Sequence, residues 1–187
     1  MNGDDKHVFG FWVYLMTDLV LFGVLFATYT VLQSSTFGGP SARELFSMPT
    51  ALADTLILLT SSFTCGLAML AAERKNVNQV IAWLAVTLVL GATFLTLELT
   101  EFSRFVSEGA SWQRSAFLSA FFTLVGTHGT HIAVGLLWIL VCIVEIKLRG
   151  LTPAIGSKLS RFALFWHFLD IVWIFIFTTV YLMGHIT

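Results

Sequence analysis

The sequence has few charged side chains and little cysteine. Only 11% of its 187 residues are charged and 57% are hydrophobic, whereas soluble domains average about 25% charged residues. This shortage of charge excludes an ordinary soluble domain. The formal net charge of −1 provides no basic surface, so nucleic acid is not an expected partner. Cys65 and Cys142 both fall within apolar runs and are predicted to be small packing residues.

Five long apolar windows account for the missing charge. Each is long enough to cross a bilayer core, which requires roughly 20 apolar residues. The windows are residues 9–32, 49–72, 79–102, 116–146 and 161–184. The links QSSTFGGPSARELFSM, ERKNVN and RGLTPAIGSKLS are predicted to be loops. Because the windows lack the period-two alternation of barrel strands, we predict an all-α integral membrane protein, with residues 1–187 forming one five-helix transmembrane bundle.

The basic residues predict the orientation of this bundle. An odd number of spans places the two termini on opposite faces of the membrane. The N-terminal face is assigned Lys6, Arg74, Lys75, Lys147, Arg149, Lys158 and Arg161, and the opposite face Arg43, Arg104 and Arg114. The positive-inside rule therefore predicts a cytoplasmic N-terminus. The start MNGDDKH lacks the basic region of a secretory signal, so the first window is predicted to be a retained span.

Several carboxylates lie inside the windows, where ionisable groups are costly and often functional. Asp18 lies about nine residues into the first window, hence roughly 13 Å along its axis and close to mid-membrane. Glu98 and Glu101 share one face at the end of the third window. They are either a hydrated interfacial pair or a functional one. Asp54, in the first turns of the second window, is predicted to have an interfacial or capping role.

Two histidines share one face of the fourth window. His128 and His131 lie near Gly126, Gly129 and Gly135, which would allow a neighbouring helix to approach closely. Their spacing would suit a metal. However, metal sites need three or four ligands and the sequence offers few further histidines, so no metal site is predicted.

The fifth window supplies a polar pair that offers His131 a partner. His167 and Asp170 lie near the start of this window, which is antiparallel to the fourth across a short link. We expect His131 to reach both residues in a hydrogen-bonded cluster, with Trp166 or Trp173 as indole donors. Such a cluster is either a packing device or a site that handles protons.

The same motifs carry a family resemblance. The segments FGFWVYLMTDLVLFGVLFATY, LELTEF, SAFFTLVGTHGTHIAVGLLW and FWHFLDIVWIFIFTTVYLMG together resemble subunit III of the haem-copper terminal oxidases, in order through essentially the whole chain. The common cytochrome c oxidase form of this family has seven spans. The five-span form is similar to subunit III of the bacterial cytochrome bo-type ubiquinol oxidase.

The resemblance implies a subunit without redox chemistry of its own. It implies no catalytic, cofactor-binding or metal-binding residue in this chain, with the haems and copper held by subunit I. The implied partners are subunit I, through direct helix packing, subunits II and IV, and structural phospholipids in a cleft between helices. The implied role is to sustain proton uptake and to protect the catalytic subunit from inactivation. The implied location is the bacterial inner membrane.

The resemblance also assigns expectations to individual residues. Asp18 matches a membrane-buried carboxylate of the family, which is usually Glu in the longer form. Glu98 and Glu101 match an acidic pair whose role is left open. The lipid-facing and subunit-contact motifs would include His128, His131, Trp166, His167 and Asp170.

The predicted function is therefore an accessory subunit III of a proton-pumping ubiquinol oxidase, which reduces oxygen to water. One alternative is subunit III of a cytochrome c oxidase or a homologue associated with nitric oxide reductase. A second alternative, of another class, is a free-standing proton or solute transporter that uses the buried ionisable residues as a relay.

Overall fold

The computed structural model describes residues 3–36 and 48–186. Within them it contains five long helices, α1 (Gly3–Leu32), α2 (Met48–Glu73), α3 (Val77–Ser107), α4 (Ala116–Arg149) and α5 (Pro153–Ile176). The chain continues from α5 through a π-helical segment, Phe177–Leu182, into the short helix α6, Met183–Ile186. No strand occurs in these two ranges, which confirms the all-α prediction. Most of the predicted link 33–48, including Arg43, lies outside the described residues.

Five helical segments are long and apolar enough to cross a membrane, as predicted. They are Val8–Leu32, Met48–Glu73, Val77–Ser107, Ala116–Arg149 and Pro153–Leu182. The cytoplasmic location of the N-terminus stays a prediction.

The fifth helix begins earlier than expected. The predicted loop RGLTPAIGSKLS is helical from Pro153 onward, whereas we expected the span to begin at Arg161. The Thr152 side chain accepts a hydrogen bond from the Ile155 amide, and Pro153 occupies the first turn. Proline suits this position because its fixed φ is already helical and its missing N–H has no partner there in any case. Thr152 and Pro153 mark the start of α5, and hydropathy alone does not detect them.

Four helices form a ring, and the first helix lies outside it. Helix α2 packs on α3, α3 on α4, α4 on α5, and α5 closes the ring on α2. Helix α1 contacts mainly α4 and α5. As a result, the described part of the chain leaves one long side of α1 uncovered, and Phe9, Val20 and Val31 are exposed there. An apolar face of this size requires lipid or another subunit as its neighbour.

A buried tryptophan explains two glycines of the ring. A Cβ atom added at Gly135 on α4 would lie 2.7 Å from Trp166 Cζ3, and one added at Gly91 on α3 would lie 2.8 Å from Trp166 Cη2. The indole of α5 is therefore held between two helix backbones. By contrast, a Cβ atom at Gly129 would lie 3.7 Å from the nearest side-chain atom, which is an ordinary contact.

Candidate functional site

Asp18 faces the fourth helix. Its side chain is mostly buried, and Oδ2 lies 3.6 Å from Nε2 of His131. Tyr14, one turn earlier on α1, is within hydrogen-bonding reach of the same carboxylate. The middle of α1 therefore meets α4 at one polar contact, and packing of α1 on α4 brings this contact together.

The hydrogen bond on the other side of the His131 ring constrains the Asp18 contact. Nδ1 of His131 lies 2.8 Å from the carbonyl oxygen of Thr127. A carbonyl only accepts hydrogen bonds, so Nδ1 carries a proton and donates it. Nε2 and the Asp18 carboxylate would repel each other if both lacked a proton. A second proton on Nε2 would make the ring an imidazolium that attracts the Asp18 carboxylate, although the separation of 3.6 Å is longer than a hydrogen bond.

His167 and Asp170 meet helix α2 instead of His131. Oγ of Ser62 lies 2.6 Å from Nδ1 of His167, and Asp170 interacts with both Ser62 and His167. We expected His131 to form a cluster with these two residues, but the His131 ring contacts Asp18 on α1 instead. The sequence thus predicted the polar residues, while the structure divides them between two helix pairs.

His128 lies at the centre of the bundle. It is fully buried, and its ring stacks on Trp173 with centroids 5.4 Å apart. Phe94 meets the same ring edge-on. Neither ring nitrogen of His128 has a hydrogen-bond partner within the described part of the chain. The position of His128 is therefore fixed by aromatic packing.

Sequence reasoning missed the hydroxyl groups of α2. Trp166 Nε1 donates to Ser61 Oγ at 3.1 Å, and Trp173 Nε1 donates to Thr55 Oγ1 at the same distance. Both indoles thus act as donors, as expected, but their acceptors lie on α2. The segment TLILLTSSFT could have predicted these acceptors, because its hydroxyl residues recur at helical spacing within an apolar helix.

The acidic pair of α3 is joined by a third carboxylate. Glu98, Glu101 and Asp54 are all buried, and one oxygen from each lies within 4.8 Å of the others. We predicted an interfacial or capping role for Asp54. The structure places it against Glu98 and Glu101, at the end of the bundle where α2 begins and α3 ends.

A cleft separates the outer helix α1 from α5. Its volume is about 460 Å³. The lining residues are almost all apolar and include Trp12, Phe22, Phe168 and Phe175. His167 is the one ionisable residue among them. A long apolar cleft between two membrane helices suits an acyl chain, because it excludes charge along its length.

Residues 5–185 match the family described as cytochrome c oxidase subunit III. The chain belongs to this family. Membership confirms the predicted relationship to subunit III of the haem-copper oxidases, and it makes the chain a component of a multi-subunit oxidase in a membrane.

Three relatives illustrate the range of this family. Cytochrome bo(3) ubiquinol oxidase subunit 3 of Pseudomonas aeruginosa is 56% identical over 95% of this chain and 85% of its own length. Quinol oxidase subunit 3 of Bacillus spizizenii is 50% identical over 95% of this chain and 87% of its own length. Cytochrome c oxidase subunit 3 of Bacillus sp. PS3 is 48% identical over 98% of this chain and 88% of its own length.

These names bear on the predicted electron donor. Two of the three relatives are named quinol oxidase subunits, which confirms the predicted similarity to the bo-type ubiquinol oxidase subunit. The third is named for cytochrome c at an identity that is only slightly lower. Family membership by itself therefore does not distinguish the two donors.

Proposed function

We propose that this chain is the accessory subunit III of a bacterial quinol oxidase that reduces oxygen to water and pumps protons across the inner membrane. The observation that carries the quinol assignment is the 56% identity to a ubiquinol oxidase subunit over 95% of the chain. In this proposal the haems and copper belong to subunit I. This chain supplies helix packing, a lipid site and a proton-holding pair.

The exposed side of α1 supports direct packing on subunit I. Among the described residues, α4 and α5 cover α1 on one side, and large apolar residues such as Val20 are exposed on the rest of its surface. In a membrane, an exposed apolar face of this kind contacts either lipid or another transmembrane helix. Subunit I would then lie next to the cleft and next to Asp18.

The cleft between α1 and α5 supports phospholipid binding. Its apolar walls match an acyl chain, and its volume of about 460 Å³ lies in the range of small-molecule sites, roughly 300–1,000 Å³. A lipid held there would fill the gap between the outer helix and the ring and so fix the position of α1. The cleft thus links lipid binding to the position of Asp18 and His131.

The Asp18–His131 pair supports a role in proton uptake. The pair places a carboxylate 3.6 Å from an imidazole nitrogen inside the bundle, and Asp18 lies on the helix that has an uncovered face. We assign to it the exchange of protons with a pathway of subunit I during turnover. No electron carrier takes part in this exchange.

The electron donor is tested with the complex itself. A tagged copy of this chain is used to purify the oxidase, and oxygen consumption is measured with ubiquinol and with reduced cytochrome c as alternative donors. The proposal predicts turnover with ubiquinol alone. Turnover with reduced cytochrome c and not with ubiquinol would favour the cytochrome c oxidase alternative.

The transporter alternative requires a different result. A transporter would move protons as an isolated chain in liposomes, and the flux would fall with Asp18→Asn. The proposed subunit shows no such flux, since its proton-holding pair serves a pathway in another subunit.

A further inference from the structure

The three carboxylates at one end of the bundle are unusual in their burial. Asp54 is 2% exposed, Glu98 is 4% exposed and Glu101 is 7% exposed. Asp54 comes from the first turns of α2, and the two glutamates come from one face of α3. One oxygen of each lies within 4.8 Å of the others. Three ionised carboxylates at this separation repel one another strongly, so the cluster needs either protons or a cation between them.

Two oxygens of this cluster have no hydrogen-bond donor. Asp54 Oδ1 and Glu98 Oε1 are buried, and no group in the described part of the chain donates to either of them. Buried polar atoms are nearly always satisfied by protein, water or an ion. Asp54 and Glu98 are both more than nine-tenths buried and both belong to the cluster, so their unpartnered oxygens indicate a ligand there.

The surrounding charges indicate the valence of that ligand. Glu101 lies 3.7 Å from Arg104 Nη2, and its Oε2 accepts a hydrogen bond from the Tyr181 hydroxyl at 3.3 Å. If all three carboxylates are ionised, one guanidinium leaves two negative charges uncompensated. A divalent cation would balance them.

The chemistry and the spacing indicate the class of cation. Carboxylate oxygens are hard ligands and favour Ca²⁺, Mg²⁺ and Mn²⁺. Oxygens on opposite sides of one Ca²⁺ are up to about 5 Å apart, whereas those around Mg²⁺ are at most about 4.2 Å apart. Oxygens that all lie within 4.8 Å of one another can bind one ion of the size of Ca²⁺ without rearrangement of the helices.

We propose that Asp54, Glu98 and Glu101 form a binding site for one Ca²⁺ ion, or a hard divalent cation of similar size. The ion joins α2 to α3. Through Glu101 it also joins Tyr181 in the π-helical segment after α5. Arg104, one turn beyond Glu101, is about half exposed and lies near the end of α3, so the proposal places the site near the membrane surface. The site is separate from the proposed proton-holding pair and does not depend on the proposed oxidase function.

Tb³⁺ luminescence provides a direct test, because Tb³⁺ replaces Ca²⁺ and emits when a nearby aromatic ring is excited. Trp173 donates to Thr55, next to Asp54, and its ring lies 6.2 Å from that of Tyr181. The purified, chelator-treated complex that contains this chain is titrated with Tb³⁺. We expect saturable emission that Ca²⁺ displaces. Absence of Ca²⁺-displaceable emission from the parent complex would overturn the proposal and indicate protonated carboxylates.

Matched variants locate the signal within the complex. The isosteric pair Asp54→Asn and Glu98→Gln should remove most of the emission and lower the Ca²⁺ content by one ion per chain. Glu108→Gln is the control, at an exposed position at the end of α3. It should leave the Tb³⁺ emission and the Ca²⁺ content unchanged. If the double variant does not assemble, Asp54→Asn alone is measured. Equal emission and equal Ca²⁺ content in the variant and the parent would place the ion elsewhere and overturn the proposal.

Discussion

At the scale of single residues, Asp18 is the group whose change should matter most. Its carboxylate faces Nε2 of His131 at 3.6 Å, and the hydrogen bond from Nδ1 to Thr127 fixes which nitrogen faces it. The proposed function assigns this carboxylate to proton handling and not to electron transfer, because it places every haem and copper ligand in subunit I.

The variant Asp18→Asn keeps the size of the side chain and removes its ability to ionise. We expect the oxidase complex to lose activity faster during turnover, while its initial rate changes by less than about twofold, or ~0.4 kcal/mol in the activation barrier. Oxygen consumption followed to exhaustion measures both quantities. Asp18→Glu is the matched control, because it restores an ionisable group, and it should retain the parent lifetime. If Asp18→Asn matches the parent in lifetime and in protons pumped per electron, the carboxylate is a packing residue.

His131 shows which features of the site the sequence could predict and which it could not. The sequence predicted that this residue is buried and needs a polar partner, because its window is apolar. It did not predict which partner, because the direction a residue faces depends on how each helix is rotated about its axis. The short link between α4 and α5 favoured His167, yet α1, far away in sequence, supplies Asp18. The α2 hydroxyl of Ser62 takes the place beside His167.

At the scale of helices, the contact between α4 and α5 depends on Gly135, which has no side chain to collide with Trp166. Gly135→Ala would place a methyl group 2.7 Å from the Trp166 ring, closer than atoms can pack. Overpacking of this kind costs about 1–3 kcal/mol. We therefore expect a lower temperature for dissociation of the subunit from the complex, measured by size-exclusion chromatography after heating.

Two controls separate this clash from a general effect of alanine. Gly129→Ala adds the same methyl group on the same helix at 3.7 Å from its neighbour and should be tolerated. Replacing Trp166 by Phe in the Gly135→Ala background should recover part of the loss. Equal stability of the Gly135→Ala and Gly129→Ala variants would show that Trp166 moves freely and is not held between the helices.

The cleft between α1 and α5 can be tested by filling it. Gly23 lines the cleft, and a Cβ added there meets no atom within 4 Å, so Gly23→Trp should project an indole into the space for lipid. We expect fewer phospholipids to copurify with the complex, counted by mass spectrometry, together with faster inactivation. Gly10→Trp is the control, since Gly10 is equally open but does not line the cleft. Unchanged lipid content in Gly23→Trp would place the lipid elsewhere.

The helix boundaries are a second feature that the sequence predicted only in part. Apolar windows located all five spans, because length and hydropathy decide what can cross a membrane. They missed the start of α5 at Pro153, because the first turns of that helix are polar enough to resemble a loop. The Thr152 cap and the adjacent proline would have corrected the boundary. The acidic cluster needed the structure, because Asp54 and Glu98 come from different helices.

At the scale of the whole molecule, the fold is a closed ring of four helices with one helix outside it. The ring buries Phe94, Trp166 and Trp173, whereas α1 has one side that the described part of the chain leaves uncovered. This asymmetry suits a subunit that docks on a larger one and holds lipid at the junction. The proposed role follows from it: the chain keeps the oxidase active and does not transfer electrons.

The most direct test of this role compares the quinol oxidase complex with and without this chain. Initial oxygen consumption and the number of turnovers before inactivation are measured with ubiquinol as donor, together with the optical spectra of the haems. We predict unchanged haem spectra, a similar initial rate and a much smaller number of turnovers in the complex that lacks the chain. Loss of a haem or copper signal, or an unchanged number of turnovers, would contradict the account.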